Sequence, residues 1–121
     1  MKQKVVIFGS RDFDDYEYFA EKLEDIFYER NLKNIQVEIV EGGARGADRL
    51  ARNFAHDNDT EYTTFPADWD KHGRSAGHIR NAEMAGYCDW GIGFWDGESK
   101  GTEGMIKQMK RLDKEVIVIN V

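Results

Sequence analysis

Apolar positions along the chain follow two alternating rhythms. Short runs rich in β-branched and aromatic residues recur at Lys4–Phe8, Ile35–Val40, Glu61–Phe65, Cys88–Trp95 and Glu115–Asn120. Each is predicted as a strand. Between them lie longer stretches whose apolar residues are spaced three and four apart. In the first, Tyr16, Phe19, Ala20, Leu23, Ile26 and Phe27 share one helical face. Its start is well marked: Asp14 as cap, Glu17 three residues on, and Phe13 with Tyr18 as a hydrophobic staple. Ala47, Leu50, Ala51, Phe54 and Ala55 predict a second helix over Gly46–His56. A third covers Ala76–Ala85, and a fourth runs from Thr102 to Leu112 with Met105, Ile106 and Met109 inward. Pro66 stops the third strand, and Ala67–Ser75 reads as a polar connector.

Strands alternating with helices predict parallel crossovers and a sheet covered on both faces. The expected fold is a single α/β domain over residues 1–121, Rossmann-like and three-layered, with a five-stranded parallel sheet in the order 3-2-1-4-5. A chain of 121 residues is one domain's worth of sequence. Its apolar fraction of 40% excludes a disordered polar chain. Its longest apolar runs, Val5–Phe8 and Val116–Ile119, are far too short to span a membrane. No cleavable signal follows Met1, and one Cys forms no internal disulfide, so the expectation is a cytoplasmic protein without membrane contact. No metal site is expected from one Cys and three His, with His72 and His78 six residues apart. Cys88 reads as a small buried hydrophobe.

The net charge of −6 weighs against a long polyanionic partner, so nucleic acid is an unlikely one. The charge is uneven: net −4 over residues 1–43, zero over 44–80 and −2 over 81–121. A small anion at a local basic site fits that distribution.

Ligands of such sheets bind at the carboxyl ends of the strands. Three glycine-bearing loops gather there: Gly9-Ser10-Arg11, Gly42-Gly43-Ala44-Arg45-Gly46 with Asp48, and Asp96-Gly97-Glu98-Ser99-Lys100-Gly101-Thr102. Glycine lets backbone approach a ligand, and a helix start offers unpaired N–H groups to an anion. The expected phosphate contacts are main-chain N–H groups of Gly42 to Gly46 and of Gly101 to Thr102. Neither loop has the Walker order, since Lys100-Gly101-Thr102 inverts it, and neither is the dinucleotide fingerprint. In the connector and the helix after it, Arg80 is a bidentate phosphate clamp beside Asn81, and Trp69 is a stacking platform for a base.

These residues resemble a known family. Gly9-Ser10-Arg11 with Phe13, the run Glu41 to Asp48, Phe65-Pro66-Ala67-Asp68-Trp69, Ala76-Gly77 with Ile79-Arg80-Asn81, and Asp96-Gly97 with Gly101-Thr102 are similar to the YspA-like, cpYpsA-related branch of the SLOG superfamily. That superfamily is Rossmann-like and includes LOG phosphoribohydrolases and the DNA-processing protein DprA. The resemblance implies a nucleotide-derived ligand over the glycine loops, and homo-oligomers built through helices flanking the cleft. The aromatic residues Trp69, Tyr87, Trp90 and Trp95 point the same way on self-association, being many for one small core. LOG enzymes carry a catalytic Glu three residues after the Gly-Thr pair, where this chain has Met105.

Three functions therefore compete. The first is a sensor or carrier domain that binds a nucleotide or its derivative and requires no cofactor. The second is a hydrolase or transferase at an N-glycosidic bond, for which Asp96 and Glu103 are the available acids. The third is single-stranded nucleic-acid binding, which the charge disfavours.

Overall fold

The computed structural model describes residues 2–121. The five strands are β1 (Gln3–Gly9), β2 (Val37–Glu41), β3 (Glu61–Thr64), β4 (Trp90–Trp95) and β5 (Val116–Asn120). The helices are α1 (Tyr16–Glu29), α2 (Ala47–Asp57), α3 (Trp69–His72), α4 (Ala76–Tyr87) and α5 (Lys100–Arg111). All strand pairs are parallel, in the order β3-β2-β1-β4-β5. This is the predicted Rossmann-like sheet. No helix among the described residues is long and apolar enough to cross a membrane.

Two cores sandwich the sheet. Val5, Ile7, Ile39, Ile92 and Phe94 meet Phe19, Leu23 and Phe54 of α1 and α2 on one face. Val6, Phe8 and Val40 meet Met84 of α4 and Met105, Ile106 and Met109 of α5 on the other. Each such side chain, fully buried, contributes about 1.5–3 kcal/mol. The two unusual strand glycines belong to the second face. A Cβ on Gly93 would lie 2.8 Å from the Phe8 ring, and one on Gly91 would lie 2.7 Å from Val6. Their missing side chains let β4 sit beside the bulkier β1 without a gap.

Local starts and stops differ from expectation in three places. Asp15, not Asp14, caps α1 by accepting from the Tyr18 N–H at 3.1 Å. Phe13 still staples the helix, meeting Tyr18 edge-on at 6.4 Å while stacking on Phe94 at 5.4 Å. β4 begins at Trp90, because the Cys88 N–H still bonds Met84 O at the end of α4. The polar connector contains a helical turn, α3, capped by Asp68 through the Lys71 N–H. The core also absorbs most of the aromatic surplus. Trp90 packs in the first cluster, Tyr87 and Trp95 against the second, and Trp69 alone of the four is exposed.

Candidate functional site

β1 lies at the centre of the sheet, and the chain leaves it toward β2 on one side and returns to β4 on the other. That reversal opens a crevice at the carboxyl rim. Two adjoining lobes fill it. The first, about 420 Å³, lies between the loops after β1 and β4. Its floor is Phe8, Met84 and Met105, and Gly9, Ser10, Asp48, Asn81, Asp96, Ser99, Gly101 and Thr102 line its sides. The second, about 480 Å³, lies between Gly42-Gly43 and the segment Pro66, Ala67 and Trp69. Arg11, Ala44, Arg45 and Arg80 border both.

Most predicted site residues thus meet at one rim, and four do not. Gly46 lies on the outer side of the α2 start, where a Cβ would be 2.3 Å from Ser10 O. Its φ of +75° and that close approach make it a packing glycine. Gly97 shapes its turn at φ +84°, and Lys100 projects to solvent; neither lines a lobe. Glu103 also lies outside both, 3.8 Å from Lys107 one turn along α5.

The loop after β2 is held from within by two acids. Glu41, fully buried, accepts from the Gly43 N–H at 2.7 Å, from Arg52 at 2.7 Å and from the Thr64 hydroxyl. Asp48 accepts from the Ala44 N–H at 3.2 Å. Two of the expected phosphate donors, Gly43 and Ala44, are therefore already occupied by carboxylates. The N–H groups of Arg45 and Gly46 make no hydrogen bond among the described residues. Burial, reinforced by nearby Glu41, pushes the Asp48 carboxyl up to about 6 against the pull of the Ala44 N–H, Arg80 and Arg52. The sequence assigns no site role to Glu41 or Arg52. The one available signal is a pair of acids, Glu38 and Glu41, in an otherwise apolar strand.

Arg80 rises from α4 into the partition between the lobes. It donates to Gly42 O through Nη1 and to Asn81 Oδ1 through Nε at 2.9 Å. A Cβ on Gly42 would lie 2.5 Å from Nη1, so the guanidinium comes close to bare backbone. No carboxylate of the described residues forms an ion pair with it. Burial weakens its hold on its proton, Asp48 opposes that, and Arg11 adds to it. Arg11 and Arg45 are exposed; Arg45 meets Asp12 at 3.6 Å, a solvated pair of little energetic weight.

The loop after β4 is a self-contained cap. Asp96 Oδ1 accepts from the Glu98 and Ser99 N–H groups at 2.9 and 2.8 Å, and the Asp96 N–H bonds Ser10 Oγ at 3.2 Å. The Ser99 and Glu98 N–H groups hold the Asp96 carboxyl below the ordinary carboxylate range. Ser99 caps α5 through the Thr102 N–H at 3.5 Å, engaging that donor too and leaving Gly101 as the open one. Trp69, 53% exposed, stands at the mouth of the second lobe. Burial pushes the Cys88 thiol up to about 11, as suits an inert core residue. No group of three His, Cys, Asp or Glu among the described residues could hold a metal.

A Rossmann-like sheet with a polar, arginine-lined crevice at its switch point defines the class. Within it, the chain belongs to the YspA, cpYpsA-related SLOG family, whose sequence model matches residues 3–72. The gene 61 protein of Mycobacterium phage D29 is 34% identical over 122 residues, covering 95% of this chain and 94% of that protein. Among solved structures, DNA processing protein A (DprA) of Streptococcus pneumoniae superposes with TM-score 0.71 at 18% identity. All of this chain is covered, but only 51% of DprA, so the chain spans about half of that protein's length. The structural-genomics target TM1055 superposes with TM-score 0.67 at 15% identity, over 96% of this chain and 72% of its own. At such identities the likeness concerns the fold.

Proposed function

We propose that the rim crevice binds a nucleotide or nucleotide-derived small molecule, and that the domain acts as a sensor or carrier of it. The observation that carries this reading is Arg80. The half-buried guanidinium has Asp48 and Glu41 nearby but no carboxylate in direct ion-pair contact, and a bound anion would supply that contact. Arg11, Arg45 and the open N–H groups of Arg45 and Gly101 border the same crevice. Membership of the SLOG family supports a nucleotide as the anion's source.

The hydrolase reading keeps one acid at the crevice: Asp96 lines the first lobe with its Oδ1 engaged by the Glu98 and Ser99 N–H groups, whereas Glu103 lies outside both lobes. The likeness to DprA would add nucleic acid as a partner, but a net charge of −6 opposes a long polyanion.

The test is a thermal-shift panel of mono- and dinucleotides, with chromatography for base release. A ligand at 100 times its dissociation constant adds about 2.7 kcal/mol of stability. Stabilisation by a nucleotide without base release, cut by about half or more in Arg80→Ala at the same ligand concentration, is the expected outcome. A panel with no shift, or a shift that Arg80→Ala retains in full, overturns the reading, and base release replaces it with the hydrolase.

A further inference from the structure

The crevice has two rooms, and each has its own apolar surface. In the first it is the floor of Phe8, Met84 and Met105; in the second it is Trp69 with Pro66. At about 420 and 480 Å³ each room suits one nucleoside and is too small for two. The cations are not in either room but between them, on the wall formed by Arg11, Arg45 and Arg80. A mononucleotide would cover that wall and one room, leaving the other apolar surface wet.

We infer that the ligand is two-headed: two nucleoside groups joined through phosphate, with the linking phosphate over the arginine wall and one base in each room. This rests on the nucleotide reading above and narrows it to a ligand class. The heads are distinguished by their surroundings. The head in the second room stacks on Trp69, an open and sequence-tolerant platform. The head in the first room lies on the apolar floor beside Asn81 and Ser99, whose Oδ1 and Oγ already accept from the Arg80 Nε and the Thr102 N–H.

Calorimetric titration with AMP, ADP, a linear diadenylate and diadenosine diphosphate, and with the guanine counterparts, tests the inference. A two-headed probe is expected to bind about 10- to 100-fold tighter than its mononucleotide, as a second stacked base supplies. Two variants address the rooms separately. Trp69→Ala removes the platform of the second room. Gly101→Leu fills the first, and a Cβ there meets nothing within 4 Å, so the fold tolerates it. Each variant alone should bring the ratio of two-headed to mononucleotide affinity to within about threefold of unity, since either room lost removes one stacked base. If mononucleotides bind as tightly as two-headed probes, or only one variant has any effect, a single room is used and the inference falls while the nucleotide reading stands. If no probe binds, both fall.

Discussion

Arg80 and Asp48 both close on the space where a Gly42 side chain would lie, and their roles differ. Arg80 offers a planar fork on a rigid helix. Its replacement by Ala should weaken nucleotide binding by about 10- to 100-fold, the worth of a charge-assisted hydrogen bond, and should cost about 1–3 kcal/mol of stability because the Gly42 carbonyl loses its donor. Arg80→Lys should restore only part of the affinity, because an ammonium cannot match two phosphate oxygens at once. Calorimetric titration beside a melting curve separates the two effects. Asp48 governs pH dependence instead. Its folded value of about 6 lies above the ordinary 3.8, so the native state holds the proton more tightly than the unfolded chain. Stability from this group is full below about pH 4 and is lost as pH rises through 6. Asp48→Asn should be the more stable at pH 7 by roughly 2–3 kcal/mol, and the two should converge near pH 4. Denaturant titrations at both pH values check the sign. A wild-type advantage at pH 7 would refute the assignment.

At the level of elements, the helix starts make the sharpest contrast. Gly101 is open, so Gly101→Ala should leave stability unchanged or raise it by up to about 1 kcal/mol through helix propensity. Gly46→Ala should cost several times that, since a Cβ there collides with Ser10 O and Arg11 Cα. Melting of the two variants tests the pair directly. Much of the element plan was legible because its signals are local. The β-branched run at Val5–Phe8 and the stripe from Tyr16 to Phe27 each declare their own periodicity within one window. What was not legible depends on remote partners. Glu41 and Glu38 lie in an apolar strand, where Thr64 and Arg52 engage the first and Thr63 and Tyr87 the second. Those partners lie 11 to 49 residues away, and no local window contains them. The same holds for the loop after β2. Its glycines were readable as a turn, but the occupation of its N–H groups by Glu41 and Asp48 depends on tertiary placement.

For the molecule as a whole, charge separates ligand from polymer. Arg11, Arg45 and Arg80 gather at one rim of a chain whose net charge is −6. That focus suits one or two phosphates and leaves the following phosphates of a long strand against a repulsive surface. Affinity for single-stranded oligonucleotides should therefore not grow with length beyond a few nucleotides, and its salt slope should be shallow. Fluorescence anisotropy over a length and salt series measures both. A steep slope with long oligonucleotides would move the site out of the small-molecule class.

The central position of β1 also sets a timetable for synthesis. Val5 pairs with Trp90, so the strand made first waits for one made 85 residues later before both its edges are covered. At about 5–20 residues per second, a ribosome leaves that edge open for roughly 4–17 s. The crevice inherits this delay, because its far wall is the loop after β4 and the start of α5. Nascent chains arrested before residue 90 should be cut by protease as fast as an unfolded control. Chains released with β4 and α5 complete should resist. Late closure of the sheet thus makes the arginine-lined rim one of the last parts of the protein to exist.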